Sequence, residues 1–377
     1  ESCYDISGGC SGGVCSVNTA CLCVRIRNEV AVGPEGDRAI SSTFKRTEAV
    51  GNYRLMASQQ LVDVVIPTAK RTWTLHRAVD SVLNQTLEDW CLYVVDDNAL
   101  GSPEQAANQL LVRKLQFDYD VSLVATGGCG GSCARNAGAR AGRAPIIAFL
   151  DDDDEWLPGY LAAIVESYRD NDGAHGLYFS EIRYVYARYQ ASARIPYRGG
   201  DISDLQLMGD HVSPTSAFAV RRSVFDHIGG FDEKLPARQD YDFTLRAAQI
   251  CRAVHIPKEL VLVYRVGEDS RLGISSDSSR PIAGTNVVLR KINDLLAQRS
   301  QRVATNGRAN QLRYLGVLHV NAGDFSMGRR LLLKSLRHRL TGATLFRFLI
   351  SYVPRDLMLY ARDFARRVAS LVARLFR

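Results

Sequence analysis

Residues 146–158 read IIAFLDDDDEWLP. Ile146 to Leu150 form a short unbroken apolar run, the pattern of a strand buried on both faces. Four aspartates and a glutamate, Asp151 to Glu155, follow without a spacer. Carboxylates this close repel and raise one another's pKa. A chain that gathers five of them at a strand end must neutralise them, so the stretch predicts both a buried strand and a site.

Working outward, the chain alternates. LVDVVIP (61–67) predicts a strand ending at Pro67, and apolar residues at 75, 78, 79, 82 and 83 give the helical spacing that follows it. CLYVVDD (91–97) predicts a second strand that also ends in acids, and Pro103 opens a helix to about 116. DVSLVAT (120–126) is a third strand, and GGCGGS (127–132) turns the chain into a helix over 133–142. The strand 145–150 and a helix over 158–168 complete this half. Strands alternating with helices predict an α/β fold with a mostly parallel sheet flanked by helices, whose ligands sit beyond the carboxyl ends of the strands. Beyond 176 the order changes. GLYFSEIRYVYARY (176–189) predicts one strand or a hairpin, and SPTSAFAV (213–220) a further strand. QDYDFTLRAAQI (239–250) predicts a helix, and AVHIP and LVLVYRV two closing strands. From about 281 the pattern is helical, with one helical hairpin around NAGDFS (321–326).

A single acid after a strand is ordinarily a turn former or cap. Asp96 and Asp97 together with Asp151 to Asp154, on strand ends that should converge, call for a hard divalent cation with oxygen ligands, Mg²⁺ or Mn²⁺. Arg71 and Arg135 could neutralise part of the charge but not all five acids. Asp154 and Glu155 are expected to turn toward the N-terminus of the helix that Pro158 begins. Without metal and ligand the strand end should be loose or partly protonated.

VDVVIPTAKR, SVLNQT, LYVVDDNALGS, GGSCARNAGARAG, IIAFLDDDDEWLPGYL and GGFDEKLPARQDYDFTLR resemble, in order, the motifs of the family 2 glycosyltransferases, which have the GT-A fold. The likeness covers about residues 61–270. It implies an inverting, nucleotide-sugar-dependent enzyme with a divalent metal, Mn²⁺ or Mg²⁺. Pro67, Thr68 and Arg71 match the strand end that lines the nucleotide, Asp97 the acid on the base, and Arg135 and Asn136 the segment beside the donor. Asp151 to Asp153 fall on the DxD motif, with Asp151 or Asp152 on the sugar nucleotide and Asp153 on the metal. Asp240 matches the catalytic base. Gln239 stands where relatives carry Glu, and Ala69-Lys70 where they often show Tyr-Asn. His211 falls on the acceptor side, Arg265 and Arg271 could fold over the diphosphate, and Trp156 reads as a packing residue. The resemblance points to transfer of a sugar to a saccharide or lipid-linked acceptor in cell-surface polysaccharide or glycolipid assembly. A nucleotidyltransferase is the alternative, but VIPTAKRTWT lacks its Gly-rich, Lys-containing motif. A catalytically silent nucleotide-sugar-binding protein would not need the acids that are present.

Charge is unevenly placed. Residues 329–377 hold twelve Lys or Arg and two acids, so the other 328 residues are at −3 within a chain of net +7. General basicity therefore does not point to nucleic acid. RDLMLYARDFARRVASLVARLFR (355–377) carries apolar residues at helical spacing opposite arginines, the pattern of a basic amphipathic helix on an anionic membrane surface. With no apolar run near the ~18–20 residues a span needs, the expectation is a cytoplasmic protein, peripheral on the inner face of the plasma membrane. Nine cysteines include no CxxC pair; the body reads as free thiols, with Cys129 and Cys133 structural. Residues 1–55 are Gly- and Cys-rich without a clear period and read as a disordered or non-native extension, with translation starting at Met56. The expected domains are 56–275, with a nucleotide half (56–175) and an acceptor half (176–275), and a helical region 276–377.

Overall fold

The computed structural model describes residues 60–353 apart from 172, 188, 194–198, 210–211, 213 and 266–278. The extension 1–55, His211, Arg271 and the tail 355–377 lie outside the described residues.

The core is one ten-stranded sheet: β1 (Val62–Thr68), β2 (Trp90–Asp96), β3 (Val121–Ala125), β4 (Ile146–Phe149), β5 (Glu155–Trp156), β6 (His175–Val185), β7 (Gln190–Ala193), β8 (Gly199–Gly200), β9 (Phe218–Arg221) and β10 (Arg252–Tyr264). Its order is β3-β2-β1-β4-β9-β6-β10-β5, with β7 on β6 and β8 on β10. The first four strands in that order are parallel. β9 runs antiparallel to both β4 and β6, while β6 and β10 are parallel again. The parallel character is thus strict through β3-β2-β1-β4 and gives way to a mixed sheet beyond, with β5 antiparallel to β10. Pro67 fits a central strand because pairing of β1 with β4 ends at Val65–Phe149, so its missing N–H costs no ladder bond on that side.

Helices α1 (Thr72–Leu83), α2 (Pro103–Leu115), α3 (Gly131–Ala141), α4 (Tyr160–Arg169), α5 (Ser203–Met208), α6 (Arg222–Ile228) and α7 (Gln239–Ala248) pack on the sheet. α2 starts as its sequence suggests, with Pro103 in the first turn and the Ser102 hydroxyl accepting from Gln105 N. Two apolar clusters cover the two faces of the sheet. One gathers Val64, Ile66, Leu92 and Ile164; the other joins Val65, Val95 and Phe149 to Phe218, Phe231 and Phe243. α3 lies close on the second face. A Cβ at Gly138 would stand 2.5 Å from Val65 Cγ1 and 2.7 Å from Val95 Cγ2, so only glycine permits this approach.

Four further helices follow: α8 (Ser279–Leu296), α9 (Gln301–Asn321), α10 (Phe325–His338) and α11 (Gly342–Ile350). Val288, Ile292, Leu296 and Val303 share a core with Leu207, Tyr241 and Leu245, which seats the helical region on α5 and α7. α9 and α10 form the expected hairpin, drawn close at Gly316 and Gly328.

Two readings of the acceptor half change. AVHIP and LVLVYRV are one strand, β10, whose register against β6 shifts around Pro257 and Lys258. A proline interrupts the ladder without ending the strand. SPTSAFAV is a 3-10 turn, Thr215–Ala217, before a strand of four residues.

Candidate active site

The carboxyl ends of β1, β2 and β4 lie side by side, and the side chains beyond β1 and β4 are held by one another and by α3. Arg71, just past β1, reaches both Asp152 and Asp153 at 2.5 Å. Arg135 on α3 reaches Asp151 at 2.5 Å. The Thr68 hydroxyl donates to Asp152 Oδ2 at 2.8 Å. Asp154 turns inward, accepting from Ser216 Oγ at 2.6 Å and from Tyr264 N at 3.3 Å. Glu155 accepts from the Tyr264 hydroxyl at 2.7 Å. The strand end is therefore held by protein groups at all five acids. Asp154 and Glu155 do not serve the next helix: α4 starts at Tyr160, and both acids are drawn to β10 and the Thr215–Ala217 turn.

The charge balance remains tight. Burial drives the Asp152 carboxyl up to about 7 against the pull of Arg71, with Asp153 and Asp151 adding to the rise. Burial also raises Asp153, and holds Asp154 well above the ordinary carboxylate range, with the neighbouring aspartates acting in the same direction. Burial works against the charge on Arg71 and Arg135, but the facing carboxylates more than offset it and hold both guanidiniums up. A partly protonated strand end is what these shifts describe.

Asp151, Asp153 and Asp154 each offer a carboxylate oxygen within 4.8 Å of the others'. Three hard oxygen donors from one strand end suit Mg²⁺ or Mn²⁺. Asp152 is not in this set: it is fully buried and faces Thr68 and Arg71. Asp154, which sequence spacing assigns elsewhere, is.

Other expected site residues hold loops. Asp97 accepts from Thr126 Oγ1 (2.7 Å), Gly128 N (3.1 Å), Cys129 N (2.7 Å) and Gly130 N (2.8 Å), so it organises the Gly-rich turn. Asn136 donates to Phe231 O and Glu233 Oε1 and accepts from Phe231 N, clamping α3 to the segment before α7. Asp240 lies in the first turn of α7, accepting from Tyr241 N at 2.7 Å, and its charge acts on Arg135. Trp156 is buried, stacked on Tyr160, with its indole N–H on Ser216 O. Arg265 lies over the Tyr184 ring.

Cys129 and Cys133 are bonded to each other, not free. The turn between them brings their Cα atoms to 5.8 Å, the ordinary span of a bridge. Among the described residues the free-thiol reading holds for Cys91 and Cys251.

Sequence reasoning missed Arg77 and Ser216. Arg77 donates to Asp153 O at 2.7 Å and lies 3.8 Å from the Tyr264 ring centroid. It stands on α1 six residues after Arg71, a spacing that does not place the two on one helix face, so no local pattern announced it. Ser216 donates to Asp154 and accepts from Asp151 N; nothing local to SPTSAF announces this. Among described non-glycine residues the positive φ values are at Lys70 and Arg238, both 63°. One precedes Arg71 and the other lies two residues before Asp240, where backbone strain of this kind gathers at working sites. A cavity of about 670 Å³, lined by Trp73, His76, Arg77, Asp80 and Glu155 among others, meets the acidic run at Glu155 and not at Asp151 to Asp154.

A sheet parallel through β3-β2-β1-β4, with acids beyond the central strands and a mixed second half, defines a GT-A fold. Among solved structures, residues 1–349 of S. aureus TarS match with a TM-score of 0.53 at 16% identity, over 72% of this chain and 80% of that one. The Glycosyl transferase family 2 model matches residues 63–229, and this segment is a domain of that type. The uncharacterized glycosyltransferase YwdF of Bacillus subtilis is 26% identical over 201 residues, 52% of this chain and 71% of its own. The putative colanic acid biosynthesis glycosyl transferase WcaA of Escherichia coli is 24% identical over 198 residues, 51% of this chain and 67% of its own. A Campylobacter jejuni GalNAc(5)-diNAcBac-PP-undecaprenol beta-1,3-glucosyltransferase is 29% identical over 112 residues, 30% of this chain and 35% of its own.

Proposed function

We propose that the chain transfers a sugar, with inversion, from a nucleotide-diphosphate sugar to a hydroxyl of a saccharide or lipid-linked acceptor, in cell-surface polysaccharide or glycolipid assembly. The observation that carries this reading is the strand-end set itself: three carboxylates within 4.8 Å, bordered by Arg71 and Arg135, with Asp240 acting on Arg135. The names of WcaA and of the undecaprenol-linked glucosyltransferase support the polysaccharide and lipid-linked parts.

Asp151, Asp153 and Asp154 would hold the divalent cation, which when bound offsets the charge that builds on a departing diphosphate. Arg71 and Arg135 add fixed positive charge on the same side. The sugar C1–O bond to phosphate breaks with its electron pair, and the acceptor oxygen forms the new C1–O bond from the opposite face. The acceptor proton passes to the Asp240 carboxylate, since an alcohol is a poor nucleophile at neutral pH. A single base with direct displacement inverts the anomeric centre. Pro67 and Thr68 belong to the donor side. Asp97 and Asn136 act in this reading by positioning, one through the Gly128–Gly130 turn and the other through the segment at Phe231.

Among the described residues no helix is long and apolar enough to cross a membrane. The basic amphipathic segment 355–377 would serve peripheral contact with an anionic surface.

The test is nucleoside diphosphate release from a panel of nucleotide sugars, with Mn²⁺ or with EDTA. Release with a subset of donors in Mn²⁺, abolished by EDTA, is expected. No release from any donor, together with no donor-induced thermal shift, would remove the reading.

A further inference from the structure

α11, GATLFRFLI, is amphipathic the wrong way round. Its buried residue is Thr344, and the next buried position along that side is Ser351. Leu345, Phe346, Leu349 and Tyr352, which share the other face at one-turn spacing, are exposed, Phe346 at 64% and Leu349 at 57%. A surface helix ordinarily turns its apolar stripe to the core. Here the seating is polar. Thr341 caps the helix through Thr344 N, and Arg329 donates to Ser351 O at 2.6 Å while lying 4.0 Å from the Tyr352 ring centroid. The apolar face is held outward by a built contact.

The surroundings are cationic. Residues 325–353 contain six Lys or Arg and no acid. Burial, with the charge of nearby Arg347 acting in the same direction, lowers the pKa of Arg313 on α9. Among the described residues neither arginine makes an ion pair. The charge chooses between occupants. A second copy would bring the same cationic face against itself, and residues 354–377, with six arginines and two acids, would bring more of the same sign. An apolar surface carrying negative charge fits both features. Aromatic residues beside arginines are the composition found at a bilayer interface.

We infer that Leu345, Phe346, Leu349 and Tyr352, with Arg347 and the arginines of α10, form a docking surface for an anionic lipid bilayer. It does not rest on glycosyl transfer, and it is distinct from the segment 355–377.

The experiment is flotation of the full chain with vesicles of phosphatidylglycerol and phosphatidylcholine in equal parts, against phosphatidylcholine alone. Three chains are compared: wild type, Phe346→Ser with Leu349→Ser, and Phe364→Ser with Leu371→Ser. Far-UV melts check that both variants fold. Wild type should float with the anionic vesicles only, and less as salt is raised. The Phe346/Leu349 variant should bind at least about tenfold more weakly with the other segment intact. Three results would overturn the inference: equal flotation of this variant and wild type, loss confined to the Phe364/Leu371 variant, or a wild-type dimer by light scattering that Phe346→Ser dissolves. None depends on whether the chain transfers a sugar.

Discussion

Gly138→Ala sets two known effects against each other. In a helix interior Ala is favoured over Gly by about 0.8–1 kcal/mol. Against this stands the sheet. The new methyl would lie 2.5 and 3.3 Å from the two Val65 methyls and 2.7 Å from Val95 Cγ2. Both valines are fully buried and stiff at χ1, so α3 must move, by something on the order of 1 Å. Overpacking of this kind costs about 1–3 kcal/mol, occasionally more. With two rigid partners the upper end applies, and packing wins by about 1–2 kcal/mol. The melting temperature should fall by about 2–6 °C. Gly342→Ala is the control: nothing lies within 4 Å of a Cβ there, so it should be neutral or slightly stabilising. The shift also reaches the site, because Arg135 is one turn before Gly138 and pairs with Asp151. Donor turnover should fall about tenfold or more, since misplacement near 1 Å can cost about a hundredfold. Thermal melts and nucleoside diphosphate release measure the two effects. A Gly138→Ala protein as stable as wild type, or more so, would refute the packing argument.

Other outcomes follow from single contacts. Arg222 reaches Asp63 Oδ2 at 2.5 Å and donates to the Ala144 and Ala139 carbonyls; Arg222→Met should cost about 3–5 kcal/mol by urea unfolding, because Asp63 is left buried and unpaired. Burial already raises the Asp63 pKa in the fold. The folded state therefore binds this proton more tightly, and stability is lost as pH rises from the ordinary carboxylate range through the folded value. Losing Arg222 raises that value further, so the variant should recover stability on acidification; a wild-type-to-variant gap that is constant with pH would contradict this. Asp240→Asn should keep its melting temperature and donor binding while transfer falls about 10²–10⁴-fold; near wild-type turnover would remove Asp240 as the base. Mn²⁺ with a nucleoside diphosphate should raise the wild-type melting temperature by linkage, and Asp153→Asn should flatten the response.

What could be read from the sequence was what periodicity and local chemistry carry. The alternation from Leu61 to Tyr168 and the acids beyond β2 and β4 were legible because buried strands are continuous apolar runs and helix faces repeat. The second half was less so. Pro257 reads as a strand end, yet β10 continues past it because β6 supports both sides of the irregularity. The partners of the acids were illegible for a different reason. Ser216 and Tyr264 lie 62 and 110 residues from Asp154, and only the folded sheet brings them together. The same distance hid Asn136 as a clamp on Phe231, while a four-residue spacing concealed the Cys129–Cys133 bridge behind an expectation of free thiols.

The measurement closest to the chemistry is Mn²⁺ binding followed by electron paramagnetic resonance, with nucleoside diphosphate present, on wild type and Asp153→Asn. If Asp151, Asp153 and Asp154 hold the cation, wild type should bind a single Mn²⁺ and the variant should bind it at least about tenfold more weakly. Equal binding by the two proteins, or none by wild type, would contradict the assignment of this strand end as the metal and donor site.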